Sequence, residues 1–218
     1  MKFLVLSLFG IAPAVLVGMW SGRRLRTRRQ QDPGVEANAR LIGYVSVVLV
    51  IPLAAEVVTG IRPGLRPHAL IGFLLVPPLL LKLGSVGYRF IRYYAGDAAY
   101  RAAGPPDLIM RLIGPALLLL TGAVFITGFE LWFFGFRFGD EWLTWHRTAF
   151  ILWFLAVTAH VLAYVRRAPT LAVADSRERL HGALTRRSLV VAGLILGAVL
   201  VIAMLPFASP FAPEAGAG

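Results

Sequence analysis

Six apolar stretches, each long enough to cross a bilayer, constrain this chain more than any other feature. They run over residues 3–20, 41–59, 69–86, 112–134, 149–165 and 189–207. A hydrocarbon core about 30 Å thick is crossed by about 20 helical residues, and inside it every backbone N–H and C=O must find a partner within the protein. The sequence therefore predicts an all-α, polytopic transmembrane bundle of six spans, one domain over residues 1–218. The apolar share, 58% of 218 residues, leaves too little polar surface for a water-soluble domain of this size. The Ala/Pro/Gly-rich tail, 208–218, is expected to be flexible.

The net charge of +11 sits in alternate loops. Arg23, Arg24, Arg26, Arg28, Arg29 and Arg40 lie between the first two spans, Arg89, Arg92, Arg101 and Arg111 follow the third, and Arg166, Arg167, Arg177, Arg179, Arg186 and Arg187 separate the fifth and sixth. The other loops hold Arg62 and Arg66, then Arg137 and Arg147 beside Asp140 and Glu141. Lysine and arginine are retained on the cytoplasmic side, so both termini are expected outside, in a bacterial-type inner membrane. The basic excess then belongs to topology and anionic lipid headgroups, which excludes nucleic acid as a partner. The first stretch begins like a signal peptide, but it runs on to Trp20 and ends in arginines, the flank of a stop-transfer helix. Gly18 with Gly22, and Gly193 with Gly197, are small-xxx-small pairs that mark close helix contacts.

The chain has no cysteine. Disulfides, iron–sulfur ligation, thiolate zinc sites and covalent haem attachment are therefore excluded.

Four histidines remain as ligand candidates. His181 lies among charges in a loop and reads as solvated. His68 opens the third span behind Pro67, a residue suited to a first helical turn. His146 opens the fifth, beside Trp142 and Trp145, whose rings mark the interface. One helix returns between these spans, so both run inward and the two histidines share a depth near the outer surface. If the spans neighbour each other across the bundle, two such imidazoles can fill both axial sites of one haem iron, about 2 Å from each. His160 follows His146 by 14 residues, which is about 21 Å along a helix and within about 40° of the same face. Counting 14 from His68 gives Lys82. Each helix thus carries a ligating or ionisable residue at two matching levels. Taken singly, each histidine also suits an ordinary interfacial position. Lys82 is one of only two lysines against 20 arginines. Its ordinary role is snorkelling to cytoplasmic headgroups; the alternatives place it beside a haem propionate or a quinone oxygen, or make its neutral amine a ligand.

These positions resemble the four-helix core of the cytochrome b superfamily, in which two parallel helices each carry two histidines at this spacing. The resemblance covers the second to fifth spans, residues 41–165, without selecting among b561-like, quinol-linked, ferric-reductase-like and molybdoenzyme-anchor branches. It implies that His68 and His146 are metal ligands of an outer haem b, and that His160 is one ligand of an inner haem. Lys82 departs from the pattern, standing where the family has histidine. Arg62, Arg66 and Arg147 suit haem propionates or lipid phosphate. Gly72, one turn after His68, and Gly114, Gly122 and Gly128 on the fourth span give room for a flat macrocycle, although glycine is common in membrane helices. Glu56 and Glu130 read as interfacial, or as a proton relay near a quinol.

A haem-binding bundle without a nucleotide loop or soluble domain implies an electron-transfer subunit rather than a self-contained enzyme. It would work between quinone or quinol and a redox partner protein on the outer side. Two rivals carry no haem: a transporter or channel component using its histidines for metal or protons, and a cofactor-free assembly factor relying on its glycine pairs.

Overall fold

In a computed structural model, residues 2–24, 32–61, 66–105, 108–177 and 181–207 are described. They form eight helices and no strand: α1 (Lys2–Arg24), α2 (Pro33–Gly60), α3 (Arg66–Tyr94), α4 (Ala98–Ala103), α5 (Leu108–Phe134), α6 (Glu141–Tyr164), α7 (Arg167–Arg177) and α8 (Ala183–Met204). Among the described residues five helices, α2, α3, α5, α6 and α8, are long and apolar enough to cross a membrane. Each of the six apolar stretches expected to span is helical; the first, α1, is not among those five. The tail at 208–218 and Arg62 lie outside the described residues.

The helices outrun the apolar stretches because end chemistry extends them. The Asp32 side chain accepts hydrogen bonds from the Gly34 and Val35 amides at 2.8 and 3.0 Å, and Pro33 occupies the first turn. This starts α2 well before its apolar run. Pro77 and Pro78 lie inside α3, which continues through them. Both glycine pairs mark close helix contacts. A Cβ on Gly18 would stand 2.6 Å from the Ala159 carbonyl oxygen, seating α1 on α6, and one on Gly197 would stand 2.4 Å from the Leu74 carbonyl oxygen, seating α8 on α3.

Packing divides the bundle into two halves. One joins α1 to α6 and α6 to α5; the other joins α2 to α3 and α3 to α8. α7, where only a basic loop was expected, lies along α2. It is held there by Arg40, whose Nε donates to Glu36 Oε1 at 2.9 Å and whose Nη1 donates to the Ala174 carbonyl at 3.0 Å. Asp175 pairs with Arg186 of α8, the Arg186 Nε–Oδ1 bond being 2.8 Å. These charges are buried, and buried ions persist only where paired. The segment after the third span also folds back. Tyr88 and Tyr100 meet edge to face with centroids 5.9 Å apart, and the Asp97 side chain caps α4 by accepting from the Tyr100 amide at 3.1 Å.

The halves touch little, α3 meeting α5 where Phe73 stacks on Phe129 at 5.3 Å and meets Trp132 edge-on at 5.8 Å. Between them lies a cavity of about 2430 Å³. Ordinary small-molecule pockets are about 300–1,000 Å³, so this one has room for more than one large ligand.

Candidate cofactor site

α3 and α6 face each other across the cavity and carry the histidines into it. His68 and His146 line one end; Lys82 and His160 line the other. The His68 and His146 ring centroids are 6.3 Å apart, with planes crossing at 78°. An imidazole nitrogen binds a metal at about 2 Å and stands about 1.1 Å from its ring centre, so two rings sharing one metal in line have centres about 6.2 Å apart. The observed separation matches that distance.

Hydrogen bonding selects the nitrogen each ring has available. His68 Nδ1 lies 3.1 Å from the Glu56 carbonyl oxygen. A carbonyl only accepts, so Nδ1 carries the proton and Nε2 the lone pair. Glu56 Oε1 lies 3.3 Å from the same nitrogen. Across the cavity, the Thr127 hydroxyl donates to the Ala123 carbonyl at 2.7 Å, so its oxygen accepts from His146 Nδ1 at 2.9 Å. Both imidazoles therefore have the tautomer that presents Nε2 as a ligand, each held by an acceptor on the preceding span. A metal-ligating histidine is ordinarily oriented in this way.

Each ring also lies against a glycine of that same preceding span. A Cβ on Gly60 would stand 2.9 Å from His68 Cε1, and one on Gly128 would stand 3.3 Å from His146 Cε1. Gly72 does the same for Glu56, since its Cβ would stand 3.3 Å from Oε1.

The Lys82 end is different. His160 Nδ1 is enclosed and has no hydrogen-bond partner, and its ring lies 4.9 Å from that of Tyr164. Lys82 is within electrostatic reach of it. Arg147 lines the cavity, whereas Arg66 donates to the Leu205 carbonyl at the end of α8. His181 is exposed. Gly114 and Gly128 line the cavity, and Cβ atoms on Gly114 and Gly122 would meet nothing within 4 Å. Glu56, expected at an interface, is turned to His68 with Oε2 enclosed and unpartnered; both Glu130 carboxylate oxygens are enclosed and unpartnered too. Thr127, Gly60 and the Glu56 carbonyl are the site residues that spacing did not reveal. A search of the preceding span at matching depth would have reached Gly60, whereas Thr127 is one of several hydroxyls in the spans and carries no mark of its own.

Among the described residues, no group of three or more His, Asp or Glu side chains could hold a metal ion. A pair of opposed imidazoles suits a metal whose remaining ligands come from a macrocycle. Compared with family models, with curated proteins and with solved structures, the chain has no match in any of the three.

Proposed function

We propose that this chain is a membrane b-type cytochrome, an electron-transfer subunit with a haem b held between His68 and His146. The carrying observation is the imidazole pair 6.3 Å apart with each Nδ1 engaged. The residues present fit the group. Two Nε2 atoms are available for the axial positions, Gly60 and Gly128 seat the rings, and apolar walls including Phe73, Phe129 and Phe150 line the space beside them. Arg147 stands at the same end as a partner for a propionate. The haem would supply one-electron redox chemistry, and the bundle its position, ligand basicity and exclusion of water.

Six spans, with α1 as the first, and arginines in alternate loops support a topology in which both termini and the His68–His146 level face outward, in an inner membrane. The electron route this favours runs between quinone or quinol in the bilayer and an outside-facing redox protein.

The test is a reduced-minus-oxidised absorption spectrum of the purified protein. Low-spin b-type bands are expected in the parent, and their loss at the outer haem in both His68→Ala and His146→Ala. Parent-level haem in both variants, or a colourless parent, refutes the assignment. A colourless protein would favour a transporter or assembly role.

A further inference from the structure

The two ends of the cavity differ in charge. Glu56, the one carboxylate in its lining among the described residues, belongs to the His68 end. The other end is lined by four basic side chains, Lys82, Arg89, Arg111 and Arg167. Two of them, Arg89 of α3 and Arg167 at the start of α7, are half-buried and within electrostatic reach of one another. Like charges held together away from bulk water repel strongly, and an anion between them relieves the repulsion. Among the described residues, the carboxylates at this end are engaged elsewhere. Asp32 accepts from the first amides of α2, Glu36 from Arg40, Asp97 from Arg92 and Asp175 from Arg186. What Arg89 Nη2 meets is the Gly104 carbonyl at 3.4 Å, a long bond to a neutral partner.

Apolar wall adjoins these cations. Val86, Phe90, Val161 and Val165 line the same part of the cavity and are exposed. Tyr93 and Tyr94 line it too, aromatic residues of the kind that gather where hydrocarbon meets headgroups. A small anion would use the guanidiniums and leave this wall bare, whereas a lipid uses both. We propose that this end of the cavity binds an anionic phospholipid, its phosphate between Arg89 and Arg167 and an acyl chain along the apolar wall. Guanidinium forks match phosphate oxygens in geometry as well as charge. The site differs from the general attraction of basic loops for a charged membrane, because it depends on two cavity-lining arginines and not on the exposed Arg166 beside them. It needs no haem.

The test is native mass spectrometry of the full-length protein after equilibration in detergent with phosphatidylglycerol, phosphatidylcholine or inorganic phosphate. Expected is one phosphatidylglycerol per chain, retained about tenfold better than phosphatidylcholine and not displaced by inorganic phosphate. Replacing both arginines, Arg89→Gln with Arg167→Gln, should remove the preference, and Arg166→Gln should keep it. Equal retention of the two lipids by the parent would overturn the proposal. So would an unchanged preference in the double variant, or an equal loss in Arg166→Gln, which would make the attraction diffuse. Displacement by inorganic phosphate would overturn it in favour of a free-anion site. Should the double variant fail to accumulate, a phosphatidylglycerol with a photoreactive acyl chain decides on the parent. Adducts are expected at cavity-lining residues of α3 and α6, and adducts confined to α5 or α8 overturn the proposal.

Discussion

Replacing Thr127 with valine tests the site at its second layer. The Thr127 hydroxyl gives its proton to the Ala123 carbonyl and accepts that of His146 Nδ1 at 2.9 Å. Valine keeps the branched shape and removes that acceptor, leaving the imidazole N–H with the Val124 carbonyl as its remaining acceptor. The net loss of one hydrogen bond costs about 1 kcal/mol. If haem is held as proposed, this is about fivefold in its affinity. With haem held as proposed, the bond would also favour the oxidised metal, because it makes the imidazole a stronger donor. Losing about 1 kcal/mol of that preference raises the midpoint potential by about 40 mV for one electron. The assay is a potentiometric titration followed at the absorption band, with haem measured per chain. Thr121→Val is the control, since the Thr121 hydroxyl accepts from Trp153 Nε1 at 3.0 Å rather than from a histidine. If Thr127→Val and Thr121→Val both leave haem content and potential at parental values, Nδ1 of His146 is not held by Thr127, and the tautomer argument fails with it.

Glu56→Gln should keep the outer haem within about twofold of the parent content, because the fixed acceptor for His68 Nδ1 is the backbone carbonyl at 3.1 Å; loss of haem would transfer that role to the carboxylate. Gly60→Ala should lower haem content more than Gly128→Ala, since the added Cβ stands 2.9 Å from its imidazole in the first case and 3.3 Å in the second; the reverse order in a haem assay would contradict the seating of the rings. Gly197→Ala should destabilise the bundle by about 1–3 kcal/mol in a thermal unfolding measurement, because its Cβ meets backbone 2.4 Å away. Gly122→Ala, with nothing within 4 Å, should cost far less in the same assay.

Hydropathy reveals the part of a helix that would sit in hydrocarbon and is blind to the rest. That is why α2 begins at Pro33 rather than near Leu41, and why α7 went unseen. Leu171 of α7 packs where a Cβ on Gly43 would come within 2.7 Å of it, yet its arginines give the segment the composition of a loop. The 14-residue spacing of His146 and His160 and the matching depth of His68 were legible because helical geometry is rigid. Thr127 was not. Thr59, Thr121 and Thr158 likewise donate to a carbonyl four residues back, so a hydroxyl in an apolar span is ordinary. Only the crossing of α5 and α6 brings a histidine onto one of them. The Glu56 carbonyl is harder still, since any residue type at that position would supply it.

The two histidines of the proposed site belong to different halves of the bundle. His68 stands on α3 with its acceptor and glycine on α2, and His146 stands on α6 with its acceptor and glycine on α5. Each helical hairpin thus carries one histidine with its acceptor and its glycine, while the halves touch chiefly where α3 meets α5 around Phe73. A metal shared by both imidazoles would be the strongest bond between them. Because only the assembled pair can bind it, binding stabilises the assembled form in proportion to ligand concentration over the dissociation constant. Within each half, close glycine contacts and backbone hydrogen bonds would owe nothing to such a metal. Loss of one axial histidine should therefore loosen the association of the halves while leaving the helices folded.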